Sequence, residues 1–263
     1  MTAATRTALI TGASAGIGAS FARQLAAQGF TLLLVARRVD RLKALAQELI
    51  DAHGIECKVF AADLTDASAP RDIMAYAAEQ GLCIDLLINN AGLSGHKKFV
   101  DTPWSELAGE IQVMITAVTE LAHLVAPAMI ERQWGRIINV SSLAAFAPPG
   151  ESLLYSAIKT YVLILSESLD MELKPHGIHV TALCPGFTKS EFHDVMGTRH
   201  TANKLPAIMW QQPDDVVKEA LDAVMHGKPV CVPGRFNKFS VAMMRPLPEW
   251  ARYRIGKVAN PFK

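Results

Sequence analysis

TALITGASAGIGASFARQLAAQG, from Thr7 to Gly29, sets three local patterns in a row: five β-prone residues to Thr11, the loop GASAGIG, and an Ala-rich segment from Ala19 to Gln28 that stops at Gly29. That order predicts strand, glycine loop and helix. Glycines at 12, 16 and 18 let the backbone turn sharply and come close to a ligand, and the free N–H groups of a helix start attract a pyrophosphate. The Ser14 hydroxyl adds a donor. The spacing is Gly-x-x-x-Gly-x-Gly and differs from the Gly-x-Gly-x-x-Gly of the commoner dinucleotide fingerprint, so taken alone the loop also fits a glycine-rich turn that binds nothing.

Outward from this unit the chain keeps alternating strand and helix. TLLLVA, Thr31 to Ala36, reads as a second strand and ends at Arg37 and Arg38. In dinucleotide folds the end of this strand meets the adenosine ribose, where a carboxylate accepts from a 2′-hydroxyl and an arginine accommodates a 2′-phosphate. Ala36-Arg37 therefore points to NADP, against the plainer reading of two solvated arginines leading a helix. Leu42, Leu45 and Leu49 recur at helical spacing between Asp40 and His53. Strand three, Glu56 to Ala62, runs into Asp63-Leu64, where the carboxylate either meets an adenine or caps the next segment. A helix from Ala69 to Gln80 precedes the apolar strand IDLLI, capped by Asn89-Asn90-Ala91-Gly92, whose amides either tie strands together or face a ligand.

A long helix is expected from about Trp104 to Arg132, then strand GRIINVSS, a helix from Ser152 to Leu173, strand IHVTALC, helix Pro213 to His226 and strand PVCV. The irregular segment 187–212, with Phe187, Phe192, Met196, Met209 and Trp210, reads as a substrate lid or as a surface loop with scattered apolar residues. The pattern is that of one doubly wound α/β domain of the Rossmann type over residues 1–263, with a parallel sheet of about seven strands covered by helices on both faces.

Half of the residues are apolar, enough for a sizeable core, and 26 Lys and Arg against 25 Asp and Glu give no argument for nucleic acid or an anionic membrane. A small molecule is the expected partner. Cys57, Cys83, Cys184 and Cys231 lack metal-type spacing and read as buried free thiols in a reducing cytoplasm, with no metal site expected. No apolar signal-like core precedes Gly12, and no apolar run is read as a membrane span of about 18 residues. The tail from about 236 to 263, including PEWARYRIGKVANPF, mixes aromatics with cations and is expected to pack against the domain in preference to touching a membrane.

Chemistry is concentrated in SLAAFAPPGESLLYSAIK, Ser142 to Lys159. Tyr155 and Lys159, four apart, share one face of a helix, and an ammonium within roughly 4–6 Å favours a phenolate, which makes the phenol a proton donor usable near neutrality. Alone, the pair also fits an amphipathic surface.

TGASAGIG, NNAG, Ser142, YSAIK and PGFT stand in the order and spacing of the short-chain dehydrogenase/reductase family, which the chain resembles over nearly its whole length up to about Phe236. The resemblance implies that Gly12, Ser14, Ala15, Gly16, Ile17 and Gly18 hold the pyrophosphate side of NADP, Arg37 the 2′-phosphate, Asp63 and Leu64 the adenine, and Asn90 and Ala91 the ribose. Pro185, Gly186 and Thr188 would lie near the nicotinamide end, with Tyr155 and Lys159 on the nicotinamide ribose. It further implies that Ser142 polarises a substrate carbonyl, Tyr155 gives the proton and Lys159 stabilises the phenolate. The matching serine is Ser142 and not Ser141. By analogy with the family the enzyme would be a homodimer or homotetramer. Met114 departs from the pattern, standing where the family usually carries an Asn of the proton relay; the rival readings are a ketoacyl-carrier reductase and a dinucleotide-sensing protein without turnover. Phe146, Pro148, Phe187, Phe192 and Trp210 point to an apolar or bulky carbonyl substrate.

Overall fold

The computed structural model describes residues 5–93, 99–147, 154–190 and 206–258. Strands β1 (Thr7–Thr11), β2 (Thr31–Ala36), β3 (Cys57–Ala61), β4 (Ile84–Asn89), β5 (Gly135–Val140), β6 (Ile178–Leu183) and β9 (Val230–Cys231) form a seven-stranded sheet in the order β3-β2-β1-β4-β5-β6-β9, with every pairing parallel. Two short strands, β7 (Phe187–Thr188) and β8 (Trp210–Gln211), pair beside it. The helices are α1 (Gly16–Ala26), α2 (Val39–His53), α3 (Ala69–Glu79), α4 (Trp104–Ile111), α5 (Ala117–Glu131), α6 (Leu154–Leu173), α7 (Pro213–Met225), α8 (Arg235–Met244) and α9 (Glu249–Val258).

Every residue of β1 and β2 is buried, as strands covered on both faces should be, whereas β3 at the sheet edge is only partly covered. The sheet separates two large cores. Phe21, Leu25, Leu42 and Leu49 of α1 and α2 pack with Val216, Val217 and Val224 of α7 on one face. On the other, Ile73 of α3 and Leu121, Val125 and Met129 of α5 pack with Ile158 and Leu173 of α6. The chain runs from β1 outward to β3, then returns to place β4 on the other side of β1. This reversal opens a crevice at the carboxyl ends of β1 and β4, where open α/β sheets bind ligands.

The expected long helix is interrupted. Between α4 and α5, Gln112–Thr116 forms a π turn, with Val113 and Met114 buried. The whole stretch Trp104–Glu131 is long and apolar enough by length and composition to cross a membrane, contrary to the sequence reading; its buried residues belong to the second core, which accounts for that composition. Two further expectations change. Cys83 is exposed, with Nη1 of Arg132 donating to its Sγ at 2.6 Å. The tail forms α8 and α9, and α9 leaves Trp250 67% and Tyr253 57% exposed.

Candidate active site

The glycine loop leaves β1 at the crevice and is tied to the end of β4 through one threonine. Oγ1 of Thr11 accepts from the backbone N–H groups of Asn90 and Ala91 at 3.0 and 3.1 Å, and Nδ2 of Asn90 donates to the carbonyls of Thr11 and Gly12 at 3.0 and 3.1 Å. Both N–H groups of the Asn90 amide are thus committed to main chain, so they supply none of the ribose contact expected of that residue. Gly18 sits against the same loop: a Cβ there would lie 2.3 Å from the Gly12 carbonyl oxygen and 2.6 Å from Nδ2 of Asn90. Gly12 itself adopts a left-handed φ of +66°. The residue before α1 is Ala15, which offers no side-chain oxygen to the first turn. A helix start left without a side-chain cap in a crevice suits an anion, and the residues present fit a dinucleotide pyrophosphate.

At the end of β2 two arginines diverge. Nη1 of Arg37 stands 3.8 Å from Oδ2 of Asp63, with both side chains about half exposed, a pair worth little in water. Asp63 also accepts from the backbone N–H of Thr65 at 3.0 Å, and that bond, with Arg37 beside it, holds the carboxyl below its ordinary range. The local turn that the sequence allowed at Asp63 is formed through Oδ1, and the Leu64 side chain is buried in the second core. Arg38, to which no site role had been assigned, reaches back to the glycine loop, with Nε and Nη2 donating to Oγ of Ser14 at 3.3 and 3.0 Å. Its only sequence signal was its place next to Arg37.

The carboxyl end of β5 brings the reactive groups together. Ser142 begins a 3₁₀ turn, Leu143–Ala145, and its Oγ accepts from the Ala144 N–H at 3.1 Å. The Tyr155 phenol lies close enough to Ser142 for the serine to act on its acidity. Ser141 is different: it is 2% exposed and its Oγ donates to the Lys159 carbonyl at 2.6 Å, which pins α6 to β5. Lys159 is buried, donates to the Val140 carbonyl at 2.8 Å, and places Nζ 5.5 Å from the centre of the Tyr155 ring. Burial lowers its ammonium to about 8. Burial likewise raises the Tyr155 phenol, with the neighbouring Ser142 opposing the rise, so the lowered phenol expected from the Tyr–Lys spacing is not what this environment gives. A neutral phenol is, however, the form that donates a proton.

Pro185, Gly186 and Thr188 follow β6 onto the same edge. The Pro185 carbonyl accepts from the Leu143 N–H at 2.9 Å, joining this loop to the serine turn, and Thr188 is buried with Oγ1 donating to the Gly186 carbonyl at 3.2 Å. Phe187 and Trp210 meet as tilted rings, centres 5.8 Å apart and planes 50° to each other, closing an aromatic wall from two separate stretches. Phe146 does not line the site: it is 6% exposed, packed in a third cluster with Val241 of α8 and covered by the Arg245 guanidinium at 5.1 Å. Pro148, Phe192, Met196 and most of the lid expected over 187–212 lie outside the described residues. Met114 is 1% exposed in the second core, within the π turn, so the helix is broken there without an asparagine. In that turn the amide nitrogen of Gln112 is buried without a hydrogen-bond partner among the described residues.

The family model for short chain dehydrogenase matches residues 6–200. A very-long-chain 3-oxoacyl-CoA reductase of Bos taurus is 30% identical over 259 residues, covering 94% of this chain and 77% of that protein. Among solved structures, a short-chain dehydrogenase from Sphingobium yanoikuyae in complex with NADPH is 35% identical with a TM-score of 0.81, over 92% of this chain and 96% of that one. The bulky-bulky ketone specific alcohol dehydrogenase from Comamonas testosteroni is 32% identical with a TM-score of 0.77, over 94% and 96%. With the sheet order, the glycine loop and the Ser142, Tyr155 and Lys159 cluster in place, these matches make the chain an oxidoreductase of the short-chain dehydrogenase/reductase family.

Proposed function

We propose that the protein is an NADP(H)-dependent carbonyl reductase or alcohol dehydrogenase that acts on an apolar or bulky carbonyl compound or the corresponding secondary alcohol. The observation that carries this is the gathering of Ser142, Tyr155 and Lys159, with Nζ of Lys159 5.5 Å from the centre of the phenol ring, on the sheet edge that also bears the uncapped glycine loop. NADPH, when bound, supplies the hydride. The protein does the rest. Main-chain N–H groups at residues 15–18 hold the pyrophosphate, and Arg37 and Arg38 flank the adenosine end, where a 2′-phosphate would draw both guanidinium groups. The Ser142 hydroxyl orients and polarises the carbonyl oxygen, and Tyr155 gives that oxygen its proton as hydride reaches carbon, so that no free alkoxide forms. Lys159 then stands beside the resulting phenolate as its counter-charge and would hold a ribose hydroxyl of the cofactor. In the oxidative direction the same phenolate removes the alcohol proton.

Support for NADP comes from Ala36-Arg37 at the end of β2 and from the Sphingobium yanoikuyae relative solved with NADPH. The wall of Phe187 and Trp210 supports an apolar substrate. A second reading within the same chemistry, reduction of a 3-oxoacyl thioester, is favoured by the likeness of 94% of the chain to the Bos taurus reductase. We assign the protein to the cytoplasm and to a homodimer or homotetramer built on the long helices, where α6 turns Ile164 and Met171 outward.

Cofactor binding and turnover test this directly. NADPH should bind at least tenfold more tightly than NADH, and Ala36→Asp with Arg37→Ala should reverse the order. Turnover of a panel of diaryl and branched ketones against 3-oxoacyl-CoA thioesters separates the two substrate readings. Equal affinity for both cofactors, or no turnover of any carbonyl compound, would overturn the proposal.

A further inference from the structure

Charge is divided unevenly along this chain. Residues 235–263 hold seven Lys and Arg against one Glu, while the preceding 234 residues hold 19 against 24. A chain nearly neutral as a whole therefore ends in a segment of net charge +6 on a body of net charge −5.

The same segment turns apolar side chains to solvent. In α8, Phe236, Phe239 and Met243 recur at helical spacing on the outer side and are 40%, 65% and 59% exposed, while Asn237 and Val241 are buried and Met244 packs against the body. In α9, Trp250, Tyr253 and Ile255 are exposed, and the Arg254 guanidinium lies 5.9 Å from the Trp250 ring. Amphipathic helices of a globular domain show the opposite arrangement, with apolar residues inward and charges outward. α8 is nonetheless firmly seated. Nδ2 of Asn237 donates to Oε1 of Gln211 and to the Pro233 carbonyl at 2.7 and 2.9 Å, and its side chain fills the space that a Cβ on Gly186 would need. The seat is the rim of the active site, beside Trp210 and the serine turn.

We propose that α8 and α9 form a docking arm that lays the enzyme on the surface of an anionic phospholipid bilayer, with the mouth of the site beside the lipid. Interleaved aromatics and cations on short outward-facing helices match the headgroup boundary: rings enter the acyl edge while guanidinium and ammonium groups meet phosphates and serine carboxylates. Two other occupants fit less well. Two-fold pairing of the arm with a second copy would set two +6 segments against each other. An acidic carrier protein would answer the cations but leave Phe239, Met243 and Trp250 without an apolar partner.

The full-length protein is sedimented with vesicles of phosphatidylcholine alone and of phosphatidylcholine with about 30% phosphatidylserine, at low salt and at about 0.5 M NaCl. Binding to the anionic vesicles should exceed binding to neutral ones about tenfold or more and should be lost at high salt. Phe239→Ser with Trp250→Ser, and separately Arg235→Glu with Arg254→Glu, should each weaken vesicle binding about tenfold while NADPH affinity stays unchanged, which also reports that the variants fold. Equal or absent binding to both vesicle types by the unaltered protein would overturn the proposal. So would a Phe239→Ser, Trp250→Ser protein that dissociates to smaller oligomers with no change in vesicle binding, which would make the patch a contact between copies. Salt-sensitive binding of an acidic carrier protein by a chain that ignores the vesicles would overturn it equally.

Discussion

At the carboxyl end of β1 the close approaches are main chain against main chain: Gly18 against the Gly12 carbonyl, with Asn90 locked across both. At the carboxyl end of β6 the close approach is between Gly186 and the side chain of Asn237, which is delivered from α8 about fifty residues later. The two edges face one crevice but are built differently. The first is a rigid cradle of main chain cross-tied by the Asn90 amide, suited to a ligand part that is always the same. The second is assembled from β7, β8, the serine turn and α8 through side chains, so single substitutions can reshape it. Separating cofactor binding from turnover therefore tests the division.

The largest effect should come from Tyr155→Phe, which removes the proton donor and little volume. We expect kcat to fall about 10³-fold with NADPH affinity kept, measured by steady-state turnover beside cofactor fluorescence. Retention of most of the kcat would mean that protonation does not pass through this phenol.

Next is the buried ammonium of Lys159. Its pKa of about 8 lies below the ordinary lysine value near 10.5, so between those limits the unfolded chain binds the proton and the folded chain does not. Stability of the cofactor-free protein should therefore rise with pH across that window, by on the order of 3 kcal/mol from this group. The thiols of Cys57, Cys184 and Cys231, each pushed up to about 12 by burial, slope the other way above their ordinary value. The difference between the unaltered protein and Lys159→Met in urea titrations from pH 7 to 10 isolates the lysine; identical slopes would show that it is not charged and buried as described.

Gly18→Ala should cost about 2–3 kcal/mol of stability, because a Cβ 2.3 Å from a carbonyl oxygen cannot be relieved without moving β1 or α1. Cofactor affinity should fall with it. Arg38→Ala, which frees Ser14, should weaken NADPH binding about tenfold, roughly 1.4 kcal/mol, and leave NADH nearly unchanged. The smallest effect is expected for Gly186→Ala, about 1 kcal/mol, because the nearest atoms at 2.7 Å belong to a side chain that can turn aside. A Gly186→Ala change that shifts substrate preference while sparing NADPH affinity would sharpen the contrast, and a cost equal to that of Gly18→Ala would erase it.

Alternation of apolar strands with amphipathic helices was enough to place the seven-stranded sheet, because burial on both faces forces near-continuous apolar runs such as TLLLVA and IDLLI. The glycine loop and the Tyr155–Lys159 spacing were legible for a related reason: turn geometry and helical periodicity are local, so residues that must meet lie within a few positions of one another. What depends on distance was not legible. Periodicity cannot distinguish a π turn from an α-helix, so the break at Gln112–Thr116 around Met114 appeared only in the fold, where the turn itself packs on α6. The reach of Arg38 to Ser14, the tilted contact of Phe187 with Trp210 and the burial of Phe146 under Arg245 each join stretches between 23 and about 100 residues apart. Burial decided the sign of the phenol shift, since a spacing fixes which groups are neighbours but not how much water they keep. The tail shows the same limit: its aromatic and basic composition was plain in the sequence, but which side of α8 met the body depended on where Asn237 and Val241 found their seats.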